Sequence, residues 1–579
     1  MFFVMLAWVA QVLLLSGIGW AFNARIFKIN SPDGWNARDF FRSFWVGFGV
    51  LVAVAQVATL LVPLSGKFMA VVMLAALPGL WWQAQAFRTR PVATRVAGDW
   101  TRYLFWGVLV LCVVRAAAGS GALEWNVHAY DSDLYHLNSV RWAKEFPVVP
   151  GLANLHVRLG LSCSTLLYAA IVDHGPWYGR SAWIVPGVFI VMLVAQLLWT
   201  LLRDGAAARH TKIFCLLLLA FAVMMLLELF PSLYFDRPAM ICLSVALLEL
   251  LQLAPQTATP RETFAGLCVM LLLAAVSVTI KPLGAVATAF LALAAVVMAW
   301  RLPQRTAVLR VFALPVLLAV GLLARNAMLS GWLLFPAPYG RLPVEWALPE
   351  HASSQEPIAL MQTGGDFNTF LRGWARQPGA QFAAAMPGNA WQWLPYWWQC
   401  NGHTTEFKLL AAGIIFLPLA LLFRRRREPS GWLPFAILLT GANLAAWFFS
   451  APTLRFGEGY FWLWFALTGA LLLARLPAPR ATFALGSALA ALALWSSQPG
   501  FGWPEKVALW RVGHALAANC HTVELSNGQQ PPLRVLVPDN DDRAGDAPLP
   551  NTPYPRDTLC ARVPGAVRHG FFIAAPASH

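Results

Sequence analysis

Charge is scarce in this sequence. Asp, Glu, Lys and Arg make up 12% of its 579 residues against 58% hydrophobic, too little polar material to clothe a soluble particle of this size. Acidic residues are the scarcer sign, 27 against 42 Lys and Arg. The basic excess falls between hydrophobic stretches, where positive charge orients a chain in a bilayer, so it points to topology and to no nucleic-acid partner. Also missing are a Cys-x-x-Cys pair, a phosphate-binding glycine loop, a His-Glu-x-x-His helix, an internal repeat and any low-complexity tract, which removes the familiar zinc and nucleotide-binding classes. Of the eight cysteines, Cys112, Cys163, Cys215, Cys242 and Cys268 lie in apolar runs as small core residues. Cys400, Cys520 and Cys560 lie in polar segments, and an oxidising compartment would permit a disulfide between Cys520 and Cys560.

What is abundant is long apolar sequence and tryptophan. A hydrocarbon core of ~30 Å needs about 20 helical residues, and about fourteen runs approach that size. They are Phe2 to Phe22, Ser43 to Leu64, Phe68 to Phe87, Tyr103 to Ala118, Trp177 to Leu202, Ile213 to Phe230 and Ala239 to Leu253, then Phe264 to Ile280, Leu283 to Trp300, Val308 to Leu329, Leu409 to Phe423, Trp432 to Phe449, Tyr460 to Leu473 and Thr482 to Trp495. The first is long for a signal peptide and lacks a basic start, so it counts as a span. Twenty-eight tryptophans suit the headgroup level, where an apolar ring with one N–H donor is favoured.

Threading the runs with the N-terminus outside places every basic loop inside: Arg25, Lys28, Arg38 and Arg42; Arg88, Arg90, Arg95 and Arg102; Arg203, Arg209 and Lys212; Arg301, Arg305 and Arg310; Arg424 to Arg427; Arg475 and Arg480. This holds only if Leu159 to Val172, an apolar run carrying Ser162, Ser164 and Thr165, does not cross; a re-entrant or surface helix is expected there. The chain then divides into N-terminal helices (1–118), an acidic, aromatic outer loop (119–176), helices (177–330), a second outer loop (331–408), helices (409–495) and an outer tail (496–579). Strand-like PLRVLVP and GFFIAA between Pro, Asn and Asp turns make the tail a small α/β or mostly β domain. The expected fold is thus a polytopic α-helical membrane protein with a small extracytoplasmic C-terminal domain.

The first outer loop reads EWNVHAYDSDLYHLNSVRWAKEFPVVPGLANLHVRLGL, the densest gathering of ionisable and aromatic residues in the chain. Its middle suits a helix capped by Asp133 and ended by Pro147. On that helix Tyr135, Trp142 and Phe146 share one face and Asn138, Arg141 and Glu145 a neighbouring one, so it should lie in the interface with the aromatic face toward lipid. Asp133 suits a cap better than a catalyst. Asp131, just outside the helix with no structural task, is the better general base. His136, His128 and His156 can move protons, hold phosphate or simply hydrogen-bond at the interface. Asp131, Asp133 and His136 together could ligate a divalent cation. Further charges sit where helices reach the outer surface: Asp236 and Arg237, Lys281, Arg325, and Arg455 with Glu458. Charges at such depth need partners, as ion pairs or as holders of a lipid phosphate.

The motifs DxxLYH (Asp131 to His136), WxxE (Trp142 to Glu145) and VPGLANLH (Val149 to His156), with RNAMLSGWLLFPAP, APTLRFGEGYFW and DAPLPNTPY, resemble those of a family of polytopic bacterial membrane proteins. That family in turn resembles the GT-C superfamily of membrane glycosyltransferases. The resemblance implies a GT-C-like fold in the bacterial inner membrane and transfer of a sugar from a polyprenyl-phosphate-linked donor to a glycan, lipid or protein acceptor in envelope glycan synthesis. It implies catalytic roles for Asp131, Asp133 and His136, and donor-phosphate binding by Arg325, Arg455, Lys281 and His156. Tyr135, Asn138, Arg141, Asn154 and Arg158 would line the substrate loop. The sequence departs from the superfamily in having three helices before the first core helix, Tyr103 to Ala118. The alternatives are a polysaccharide polymerase or ligase, and a non-catalytic transport or assembly subunit; few charges lie inside the helices, which argues against ion-coupled transport.

Overall fold

The computed structural model describes the chain apart from residues 30–35, 89–99, 124–128, 254–258, 304–305, 351–366, 377–390, 392, 424–430, 498–503, 505, 514, 526–527 and 575–579. His128, Arg90, Arg95, Arg305 and Arg424 to Arg427 therefore lie outside the described residues.

Each of the predicted apolar runs contains a helix, although the runs to Leu64 and Phe230 outlast theirs and Trp177 to Leu202 holds two. In chain order the helices are α1 (Phe2–Phe22), α2 (Ala37–Ala58), α3 (Gly66–Arg88), α4 (Trp100–Ser120), α5 (Leu137–Glu145), α6 (Leu152–Leu155), α7 (Ser164–Val172), α8 (Ser181–Ile184) and α9 (Pro186–Leu202). They continue as α10 (Arg209–Leu227), α11 (Asp236–Gln252), α12 (Pro260–Ile280), α13 (Ala285–Trp300), α14 (Ala307–Ser330), α15 (Phe367–Arg376) and α16 (Leu394–Asn401). The last are α17 (Thr405–Leu422), α18 (Leu433–Ser450), α19 (Leu454–Ala474) and α20 (Pro479–Ser496). Among the described residues 12 segments are long and apolar enough to cross a membrane. The expected fourteen included α11 and α20, which do not reach that standard: α11 has 17 residues and α20 begins with Pro and Arg.

Local sequence explains several helix starts. The Asn36 side chain accepts from Asp39 N–H at 2.8 Å and caps α2, and Thr259 with Glu262 forms a reciprocal capping box at α12. Close packing of the first three helices rests on small residues. A Cβ on Gly19 would stand 1.7 Å from Ser43 O, and one on Gly47 1.8 Å from Leu15 O, so α1 and α2 meet backbone to backbone.

Among the described residues, Arg38, Arg42 and Arg203 gather at one end of the bundle, and the N-terminus meets the tail at the other. Arg38 pairs with Asp204 at 2.7 Å, Arg42 with the buried Glu249 at 2.7 Å, and Arg203 reaches Thr101. At the opposite end the Met1 amine donates to Ala508 O and Leu509 O of the tail, while Leu123 N–H donates to Lys506 O. For Arg38, Arg42 and Arg203 this is the common-side arrangement expected, and the helix in Leu159 to Val172 is short. α7 is only 9 residues long, about 13 Å at 1.5 Å per residue. It is buried along its whole length, not laid on a surface, and Ser164 joins it to Gln56 and Thr279 at 2.7 Å each.

The tail is a small β region. β1 (Cys520–Leu525) pairs antiparallel with β2 (Leu533–Pro538), and β3 (Leu559–Ala561) pairs antiparallel with β4 (Phe571–Ile573). PLRVLVP and GFFIAA supply β2 and β4. Cys520 and Cys560 sit in different sheets and are not joined by a disulfide.

The aromatic loop helix corrects the sequence expectation most sharply. Tyr135 and Trp142 are buried with Val149, Leu152 and Leu155 against Val535, Leu559 and Phe571 of the tail, and Phe146 packs on the same cluster. The aromatic face thus meets protein, not lipid. Periodicity shows that a face is apolar; it does not say which apolar partner covers it.

Candidate functional site

A π-helical turn, Ser132–His136, runs directly into α5. Such a turn is a wide, uncommon coil that is frequent at functional positions. Because the helical path already includes Asp131, Asp133 is inside it and not its cap; no side chain caps the turn. Asp133 is fully buried, and its carbonyl accepts from Gly545 N–H of the tail at 2.9 Å. Asp131 does have a partner. Its Oδ2 lies 3.0 Å from Arg455 Nη1, at the start of α19.

Arg455 is the hub of the site. Its Nε is also 3.4 Å from Asp236 Oδ2, the first residue of α11, and its guanidinium stands 5.3 Å from the ring centres of both Tyr234 and Phe456. Asp236 in turn is paired with Lys281, whose ammonium stands over the Phe456 ring. Two carboxylates and two cations from four separate segments therefore converge. The carboxylates are mostly buried, with side chains 16% and 12% exposed, while Arg455 remains 43% exposed and reachable. A cleft of ≈ 360 Å³ opens beside it. One part of its lining is polar, with Ser232, Asp236, Arg237, Glu406, Arg455 and Glu458; the rest is apolar, with Pro186, Ile190, Phe230 and Ile241 among others.

His136 adjoins this hub but is sealed off from it by rings. It is buried against Tyr135, Tyr234 and Phe235, with Nδ1 3.3 Å from the Ser132 hydroxyl and Nε2 lacking a hydrogen-bond partner among the described residues. Burial lowers its pKa to about 4, so the ring is neutral near pH 7. Burial likewise raises Tyr234 to about 12. His156 lies elsewhere, packed against Tyr554 of the tail, and burial lowers it to about 3.

The four expected phosphate-binding residues are thus divided. Arg455 and Lys281 meet at Asp236, whereas His156 faces the tail and Arg325 is buried between Ser162 and Thr59. The expected substrate-loop residues are mostly spent on docking the tail. Asn138 bonds Asn551 at 3.0 Å, Arg141 donates to Asp546 O and Ala547 O, and Asn154 donates to Phe571 O and Trp346 O. Tyr135 carries Arg158 over its ring at 5.9 Å. Nor do Asp131, Asp133 and His136 form a cation site: among the described residues no three His, Cys, Asp or Glu side chains converge as ligands would. Asp236 and Glu458 stood out in sequence only as charges at helix mouths, and Tyr234 and Glu406 not at all. The one available signal was the run YFDRPAM, which places aromatic, acidic and basic groups at a helix start.

The two buried imidazoles make stability depend on pH. Both folded values lie below the ordinary 6.5, so between pH 6.5 and about 4 the unfolded chain binds protons that the folded chain refuses. Stability is full above pH 6.5 and falls as pH falls, by roughly 2 kcal/mol per imidazole at pH 5. Thermal unfolding in detergent should have a lower midpoint at pH 5 than at pH 7.5, and His156→Phe should remove about half of that difference. An unchanged midpoint in the wild type would contradict the neutral, buried assignment.

An apolar helix bundle capped at one end by a polar domain, with a charged cleft at that end, defines a multi-pass α-helical membrane protein. Residues 1–462 match the model of a family described as a domain of unknown function (DUF8201), and the chain belongs to that family. The match includes Asp131, Asp236, Lys281, Arg455 and Glu458. No curated protein and no solved structure matches the chain.

Proposed function

We propose that the protein is a membrane glycosyltransferase that takes a sugar from a polyprenyl-phosphate donor at the Arg455 cleft. The observation that carries this is the two-sided lining of the cleft. A polyprenyl phosphate is apolar along its chain and anionic at its head, and Ile190, Phe230 and Ile241 adjoin Arg455, Arg237 and Tyr234 in one cavity. In this reading the basic residues face the cytoplasm, as positive charge between spans favours, and the cleft and tail face the extracytoplasmic side of a bacterial inner membrane.

Each residue then has a task. Arg455 offers N–H donors to the donor phosphate and stabilises the charge that grows on it as it leaves. Asp236 holds that guanidinium in place and is itself held by Lys281. Asp131, 3.0 Å from Arg455, is the general base. It takes the proton of an acceptor hydroxyl while the acceptor oxygen bonds to the anomeric carbon and the sugar–phosphate bond breaks, leaving its electron pair on the polyprenyl phosphate. A single displacement of this kind inverts the anomeric centre.

The test is turnover of the full chain in nanodiscs with a panel of synthetic short-chain polyprenyl-phosphate monosaccharides, read as released polyprenyl phosphate. Asp131→Asn should lower the rate by about 10²- to 10⁴-fold, the usual loss of a general base. Asp133→Asn should instead reduce the yield of folded protein, with turnover per folded molecule retained. Equal rates in wild type and Asp131→Asn would remove the base. A folded wild type that neither binds nor cleaves any of the panel would remove the transferase assignment itself.

A further inference from the structure

Arg325 has no place in that cleft, and its surroundings are unusual. It is 7% exposed near the C-terminal end of α14. Its guanidinium donates to two neutral groups, Nε to Ser162 Oγ at 3.1 Å and Nη1 to Thr59 Oγ1, and among the described residues no carboxylate pairs with it. Arg42, equally buried, shows the usual solution in its bidentate pairing with Glu249. A guanidinium carries five donors and cannot shed its charge, so burial without an anion is costly.

The cavity beside Arg325 supplies further donors and no acid. It lies under α5 and is lined by Arg325, Thr59, Ser139, Trp142, Phe146 and Leu159 among others. Ser139 Oγ and the Trp142 indole N–H are both buried there without a hydrogen-bond partner among the described residues. Buried polar atoms are almost always satisfied, so two orphans beside an unpaired cation in one cavity mark a missing acceptor. Its size limits what that acceptor is. The cavity holds ≈ 40 Å³, room for about three water-sized groups, which suits an oxyanion and excludes a sugar ring.

We propose that this cavity is a second, separate anion site, which binds a phosphate group carrying no second ester, that of inorganic phosphate or of a phosphomonoester, through Arg325, Ser139 and Trp142. It shares no lining residue with the Arg455 cleft. α5 nevertheless touches both regions, because the π-helical turn that precedes it follows Asp131 directly while Ser139 and Trp142 wall the second cavity. The phosphate arrives either as a lipid headgroup or as the free ion, and the chemistry of recognition is the same.

The experiment is thermal unfolding of the lipid-stripped full chain in uncharged detergent. Added probes are inorganic phosphate, dihexanoyl phosphatidic acid and dihexanoyl phosphatidylcholine. Phosphate, phosphatidic acid or both should raise the midpoint, whereas phosphatidylcholine should not. A response to phosphatidic acid alone assigns a lipid headgroup; a response to both assigns the phosphate ion itself. Arg325→Gln should weaken the response roughly 10- to 100-fold in probe concentration, and Ser139→Ala or Trp142→Phe about fivefold each. Should Arg325→Gln fail to fold, the Ser139→Ala, Trp142→Phe double variant carries the test. Arg455→Gln should remove at most a share of the response that arises in the cleft, and the share that Arg325→Gln removes should persist in it. The inference is overturned if no phosphate probe raises the midpoint, if phosphatidylcholine acts equally, or if the double variant responds as the wild type does. It is also overturned if Arg455→Gln abolishes the response while Arg325→Gln keeps it, an outcome that would return phosphate binding to the cleft and leave the proposed function standing.

Discussion

Arg455→Gln should cut release of polyprenyl phosphate by about 10²- to 10³-fold, the loss that follows removal of one preorganised donor to a developing oxyanion. The same substitution leaves Asp131 and Asp236 facing one another with Lys281 as their remaining cation. Like charges brought together resist ionisation, so some stability is lost too, roughly 1 kcal/mol after allowing for screening of a half-exposed side chain. Activity and stability can be separated. In the double variant Arg455→Gln, Asp131→Asn the repulsion is gone, so the unfolding midpoint should recover while turnover stays low. Recovery of both would reduce Arg455 to a structural counter-ion. Arg455→Lys is the finer probe, since a lysine keeps the charge and loses the fork that spans two carboxylates; it should restore stability fully and turnover only partly.

Phe571→Ala should release the tail from the loop. Phe571 is 0% exposed, its ring centre lies 6.1 Å from that of Trp142, its N–H donates to Pro150 O and its carbonyl accepts from Asn154. Truncating a buried Phe costs about 3–5 kcal/mol. Here that loss falls on a small β region held to the bundle by one apolar cluster and a few hydrogen bonds. Limited proteolysis should cut the tail of the variant at protease concentrations that spare the wild type, while the helical far-ultraviolet signal stays constant. Turnover should fall as well, because the tail holds the π-helical turn through Gly545 N–H on the Asp133 carbonyl. Equal protease resistance in variant and wild type would show that the tail is held by other means.

Legibility of the chain divides along a physical line. The membrane helices follow from length and apolarity, properties carried by each segment alone. β2 and β4 were legible for the same reason. The site was legible in its parts: Asp131, Lys281 and Arg455 stood out as charges near the membrane surface, and three of the four residues of the ion-pair hub carried a candidate role. Its assembly was not. Asp236 reaches Arg455 across more than 200 residues of chain, and no local pattern encodes that meeting.

The errors have the same origin. The aromatic face of α5 was apolar as expected, yet lipid and the inside of a docked β region are equally good apolar solvents for Tyr135 and Trp142. Asp133 had the residue type of a cap, but the helical path began before it and buried it under the tail. Arg325 and Arg455 were equivalent cations by sequence, and their partners made them different: one has two carboxylates, the other two hydroxyl oxygens.

Asp131 and Arg455 return the matter to the scarcity of charge. By itself the sequence determined that this is a multi-pass membrane protein, because transfer between water and hydrocarbon acts on every segment separately. Only the tertiary structure decided which of the few charges pair, which is left with neutral partners, and that the loop is covered by the tail. Those outcomes depend on distances between atoms far apart in the chain, and in a low-dielectric interior a few ångströms decide whether a charge is compensated or costly.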